Sequence, residues 1–169
     1  QNTGTQDAIL VTQTNPGGTG SSYTLTVAFN TIPGESNGAA GIYNYSLTGI
    51  GVYNVANNQY KSMIVYASSD GSFRLQLRAA TGLRSASSVT FDIGSYFVLN
   101  GPMIWMRVSD DGVNRTWSYS TDGRHFSRLT IEARATGFTS QPDQLGIYLS
   151  PEGGADARMN VLSYSLTSP

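Results

Sequence analysis

The chain has 169 residues, 39% of them hydrophobic and 11% aromatic, a length and apolar share suited to one domain around one core. Only 12% are charged and the formal net charge is −1, so no basic field exists to hold a phosphate backbone; no run approaches the roughly 18 apolar residues of a membrane span. Cysteine is absent, which excludes disulfides and thiolate metal sites, and 19 glycines among many Ser, Thr and Asn residues suit short strands and tight turns better than helices.

A period of two runs through most of the chain. A strand is predicted near residues 7–13, followed by a loop over 15–22 (NPGGTGSS). Tyr23, Leu25, Val27 and Phe29 then alternate with Thr24, Thr26 and Ala28, the pattern of a strand with one buried face. After a loop over 32–38, strands are predicted near 39–45, 49–55 and 60–67. Phe73, Leu75 and Leu77 alternate with Arg74, Gln76 and Arg78. Residues 79–86 hold a turn at most, because Gly82 argues against more, and 87–92 reads as a strand. Ile104, Met106 and Val108 alternate with Trp105, Arg107 and Ser109, and Trp117 and Tyr119 with Thr116, Ser118 and Ser120. Further strands follow near 128–134, at Leu145, Ile147 and Leu149 (alternating with Gly146 and Tyr148), and at Leu162, Tyr164 and Leu166 (alternating with Ser163 and Ser165).

Turn chemistry separates these runs. Asp-Gly occurs at 70–71, 111–112 and 122–123, and Asn-Gly at 37–38 and 100–101, pairs that tolerate the positive φ of tight hairpins. Many short strands at even spacing predict an all-β fold, a two-sheet antiparallel β-sandwich. No linker divides it, so residues 1–169 read as a single domain, with an N-terminal strand and Gly-rich loop over 1–21 and the sandwich body over 22–167.

Residues 101–129 (GPMIWMRVSDDGVNRTWSYSTDGRHFSRL) carry the most information. Trp105 and Arg107 lie in an apolar strand, a turn follows, and then come Tyr119, Ser120, Asp122 and Gly123, with Phe126 behind them. This pattern resembles the concanavalin A-like sandwich that follows the catalytic domain in β-xylosidases and arabinanases and also occurs as a free-standing extracellular module. There, a Trp is usual where Phe126 stands. Residues 49–78 and 145–150 (LGIYLS) are similar to the family's Gly-x-x-x-Tyr run and its late Leu-Gly-aliphatic strand.

The resemblance implies a jelly roll and a place outside the cell, on its surface or on a virion, within a larger secreted, surface or phage protein. Relatives often carry paired Asp residues in the last strand that hold a structural calcium. Here that stretch reads Ala157-Arg158-Met159-Asn160, and Asp156 with Asn160 is a thin set for a cation wanting about six to eight oxygens, so no cofactor is expected. Enzymes on this fold use Glu-x-Asp-x-x-Glu to aim two carboxyls at one sugar. The three glutamates here, Glu35, Glu132 and Glu152, are isolated, two of them in Gly/Pro-rich stretches, and the adjacent Asp110 and Asp111 project apart. No catalytic residues, and no enzyme, are therefore expected.

Other constellations have plain readings. Ser120-Thr121-Asp122-Gly123 resembles the Asp-box turn of sialidases, but in one copy, and Asp122 is expected to cap its hairpin through local N–H groups. His125 is the one histidine, which leaves zinc no ligand set and offers no Gly-x-Ser-x-Gly serine to activate.

What remains is an outward set. If Ile104, Met106 and Val108 face the core, Trp105 and Arg107 face out, as do Arg74, Gln76, Arg78 and Tyr148 on their strands, with Tyr53 and Tyr60 as further candidates. A flat aromatic under a sugar ring, with planar donors at its rim, is the way a glycan is held. The sequence thus predicts a non-catalytic module for a glycan or polysaccharide. One alternative is a virion decoration, fibre or tail domain whose aromatics meet other subunits. A weaker alternative is a glycosidase or its support domain. Neither nucleic-acid binding nor membrane insertion is expected.

Overall fold

The computed structural model describes residues 9–32, 45–67, 73–82, 88–92, 103–152 and 158–168. Its strands are β1 (Ile9–Thr14), β2 (Tyr23–Ile32), β3 (Tyr45–Asn54), β4 (Gln59–Ala67), β5 (Phe73–Thr81), β6 (Ser88–Asp92), β7 (Met103–Asp110), β8 (Asn114–Ser120), β9 (Ser127–Ala133), β10 (Gln144–Glu152) and β11 (Arg158–Thr167). None of the described residues is helical.

The strands form two sheets with antiparallel pairing throughout, a six-stranded one in the order β1-β10-β3-β4-β5-β6 and a five-stranded one in the order β11-β2-β7-β8-β9. β3 packs over β7 and β10 over β2, which makes the molecule a two-sheet antiparallel β-sandwich. Alternate residues fill the space between the sheets, including Leu25, Val27 and Phe29 from β2, Ile104, Met106 and Val108 from β7, and Met63, Val65, Leu75 and Leu77 from the facing sheet. β7 shows the period of two directly, with every second side chain buried.

Several boundaries differ from expectation. The predicted strand near 49–55 starts earlier, at Tyr45, while residues 39–44 lie outside the described residues. The turns at 37–38, 70–71 and 100–101 also lie outside them. Those at 111–112 and 122–123 close the β7–β8 and β8–β9 hairpins with φ of +93° at Gly112 and +73° at Gly123. β5 runs on through Thr81, and Glu152 ends β10 instead of standing in a loop. A bulge between Val161 and Ser163 breaks the alternation of β11, so Leu162 is exposed and does not share the inward face of Leu166.

One end of the core is polar. Arg115 shares the inward face of β8 with Trp117, and it is wholly buried. Its Nε donates to the Tyr23 hydroxyl at 2.9 Å and its Nη2 to Asp110 Oδ2 at 3.3 Å and the Thr139 carbonyl at 2.9 Å. Glu132 accepts from Arg115 Nη1 and Trp117 Nε1, and its other oxygen accepts from Lys61 Nζ on the opposite sheet. Arg134 Nη1 pairs with Asp110 Oδ1 at 3.2 Å. Burial raises the Tyr23 pKa well above the ordinary phenol range despite the Arg115 charge. The network ties both sheets together, and a buried pair of this kind is costly to break because its partner is left charged and dry.

Candidate functional site

The eight predicted glycan residues do not form one surface. Trp105 and Arg107 lie on the outer face of the five-stranded sheet. Arg74, Gln76, Arg78, Tyr53, Tyr60 and Tyr148 lie together on the outer face of the six-stranded sheet, on the far side of the molecule. All eight point away from the main core, as the alternation requires.

The six-stranded face is closed. Tyr60 and Tyr148 are 1% and 0% exposed, and Gln76 and Arg78 are 4% and 7% exposed, which corrects the expectation of an open platform. Tyr60 on β4 and Tyr148 on β10 flank β3, where Tyr60 pairs with Tyr53 and Tyr148 with Gly49, so their backbones are offset both by two strand spacings and by four residues of strand. Yet their rings stack with centroids 5.5 Å apart, and the two hydroxyls are 3.5 Å apart. The rings lean together across β3, which presents Gly49 and Gly51 beneath them.

A Cβ on Gly49 would stand 1.9 Å from the Met63 carbonyl oxygen, so no larger residue fits. Leu47, Ile64 and Ala80 join the tyrosines in a second apolar cluster. Burial, with Tyr60 beside it, holds the Tyr148 hydroxyl protonated far beyond the ordinary phenol range. Arg78 Nε donates to Gln76 Oε1 at 3.1 Å. At the rim, the half-buried Tyr53 donates its hydroxyl to Asn58 Oδ1 at 2.7 Å.

The five-stranded face is partly open and rich in hydroxyls, although Ser118, Ser120 and Ala28 are buried. Register places Thr167, Thr24, Ser109 and Thr116 in one row across four strands, Ser165, Thr26, Arg107 and Ser118 in the next, and Ser163, Ala28, Trp105 and Ser120 in a third. The indole of Trp105 is half-buried and lies against Gly123, where a Cβ would come within 2.7 Å of Cε2. The Arg107 guanidinium rests 3.6 Å from the centroid of the Phe126 ring, and its Nε donates to Thr26 Oγ1 at 3.0 Å. Partial burial lowers the Arg107 pKa from its ordinary value.

The Asp122 turn behind Trp105 is held as the sequence predicts. Asp122 Oδ1 accepts from the Arg124 and His125 amides at 2.8 and 2.9 Å and from Ser120 Oγ at 2.8 Å, while Oδ2 meets His125 Nδ1 at 2.7 Å. The His125 side chain, these amides and the Ser120 hydroxyl hold the carboxyl well below the usual range. The carboxylate stands between serine and imidazole, so His125 has no hydroxyl to activate. Sequence reading gave Phe126 no contact partner. Its place three residues after Gly123, where the sandwiches that the sequence resembles carry Trp, was the available signal.

Asp110 is buried and Asp111 exposed, so the two carboxylates do diverge. Among the described residues no group of three or more His, Asp or Glu side chains gathers in a way that could hold a metal. Asp156, the other candidate calcium ligand, lies outside the described residues.

No protein-family model and no curated protein sequence matches the chain. Solved structures do. A functionally unknown protein from Saccharomyces cerevisiae superposes with a TM-score of 0.62 at 17% identity, over 95% of this chain and 74% of that one. A xylan beta-1,4-xylosidase from Bacillus halodurans gives 0.60 at 9% identity, over 87% of this chain but only 28% of its own. The CBM2 module of the evolved Dit of Lactobacillus casei BL23 phage J-1 gives 0.52 at 12%, over 94% of this chain and 66% of that one. At these identities the likeness carries the fold, and the neighbours include both an enzyme and a module.

Proposed function

We propose that the chain is a non-catalytic carbohydrate-binding module of a larger secreted, surface or phage protein, and that its ligand lies along the outer face of the five-stranded sheet. The observation that carries this reading is the ledge made by Trp105 and by Arg107 on Phe126, set in rows of serine and threonine. The exposed part of the indole face offers an apolar surface to the C–H face of a sugar. The guanidinium and the hydroxyls offer donors and acceptors for its rim. Carbohydrate-related neighbours on the same fold support it.

A glycan array, followed by calorimetric titration of the strongest hit, tests the reading. Trp105→Ala is expected to weaken binding at least tenfold, or about 1.4 kcal/mol, whereas Tyr148→Phe on the closed face leaves affinity unchanged. Undiminished binding by Trp105→Ala would overturn it.

A second reading is an assembly domain, and one observation favours it. On β11, Val161, Leu162 and Tyr164 are 43%, 53% and 38% exposed, along an edge strand with a single charge at Arg158. Light scattering on the wild type and on Leu162→Asp decides this point: a stable oligomer that the substitution dissolves supports assembly, and a monomer rejects it.

A further inference from the structure

Two rows along β7 from Trp105, the same outer face opens into a cleft of about 400 Å³. The register row of Thr167, Thr24, Ser109 and Thr116 lines it, with Asp111 and Asn114 from the β7–β8 turn. Thr24 Oγ1 donates to Ser109 Oγ at 3.2 Å. Asp110 also lines the cleft, but both its oxygens are engaged, one by the Gly112 amide and Arg134 and the other by Arg115. Asp111 is different. It is exposed, and its Oδ1 accepts from the Val113 and Asn114 amides at 2.8 and 2.7 Å. Those amides, Asn114 first, hold its carboxyl below the usual range, so the charge is fixed at ordinary pH.

We infer that this cleft is an end subsite for the oligosaccharide held at Trp105, one that accepts neutral or amino sugars and turns away uronic acids. The inference rests on the carbohydrate-binding reading above. Four residues of strand separate Trp105 from Ser109, about 13 Å, a span that a short oligosaccharide covers. Side-by-side hydroxyls exchange water for sugar hydroxyls at little cost. At this end the Asp111 carboxylate repels a uronate and attracts an ammonium group, whereas Arg107, one row nearer Trp105, favours an anionic sugar there.

Calorimetry of the full chain with xylobiose, xylotetraose, glucosamine tetramer and tetragalacturonate tests this. The wild type is expected to bind xylotetraose at least fivefold tighter than xylobiose, and Thr116→Tyr, which fills the cleft with a strand-compatible ring, to remove that gain. Thr24→Tyr on the neighbouring side of the cleft serves as the second variant should the first not fold. Asp111→Asn is expected to strengthen tetragalacturonate binding at least threefold and to leave xylotetraose binding unchanged. A variant that keeps the tetramer gain, or tetragalacturonate binding that Asp111→Asn leaves unchanged, overturns the subsite and leaves the Trp105 reading standing. Failure of the wild type to bind any of the four overturns the subsite, and the glycan array decides the Trp105 reading separately.

Discussion

On the outer face of the six-stranded sheet, Tyr60, Gln76, Arg78 and Tyr148 are buried, whereas on the opposite outer face Trp105 and Arg107 remain half open. Both sets alternate with core residues in the same way, and both combine aromatic rings with planar polar groups. Their fates differ because direction is a property of one strand and exposure is not. Tyr60 and Tyr148 lean together and stack, with Leu47, Ile64 and Ala80 in the same cluster, so each ring becomes part of the other's packing. Trp105 lies against the Gly123 turn, and its neighbours across the sheet, Ala28 and Ser120, are too small to cover it.

Substitutions can break or sharpen this contrast. The largest effect is expected at Arg115, beneath the cleft end of the open face. Arg115→Ala leaves Asp110 and Glu132 without a main partner and should lower stability by about 3–5 kcal/mol in urea unfolding. Next comes a crossed pair. Tyr148→Ala on the closed face should cost about 3 kcal/mol of stability, as other large-to-small core changes do, without altering affinity per folded molecule. Trp105→Ala should do the reverse, losing binding with a smaller change in the unfolding midpoint. If Tyr148→Ala proved nearly neutral, the closed face would not be a second core.

Gly123→Ala should follow, at about 1–3 kcal/mol. It combines a φ of +73° with a methyl placed 2.7 Å from the indole, and intrinsic fluorescence should report the displaced Trp105 ring. The smallest effect concerns pH. The Asp122 carboxyl has a folded pKa depressed below its unfolded value, so its stabilisation is fully present above the unfolded value of about 3.9. That stabilisation is lost as pH falls from there through the folded pKa. Urea midpoints of wild type and Asp122→Asn should therefore differ at pH 7 and converge as the solution is acidified. A gap that stays constant down to pH 2 would show that the carboxyl's charge is not what holds the turn.

Much of the fold was legible because period two is a local signal. Tyr23 to Phe29 and Ile104 to Val108 could be oriented with no knowledge of their partners, and the Asp-Gly pairs at 111 and 122 marked their hairpins. The inward Arg115 was legible by the same rule, since it shares parity with Trp117 and Tyr119, but a charged residue there drew no assignment. Leu162 was misplaced because a bulge shifts parity without leaving a mark in the residues around it.

The side-chain directions on β2, β5, β7 and β8, the turns at 111–112 and 122–123 and the all-β class followed from the sequence by itself, because alternation and positive-φ turn residues act within a few residues. Only the tertiary structure decided which strands share a sheet and hence which outward residues meet. β10 enters between β1 and β3, and that placement brings Tyr148 to Tyr60 across 88 positions of chain. Such pairings are selected by packing over the whole molecule. The same packing that buried one outward set left Trp105 and Arg107 open on the other side.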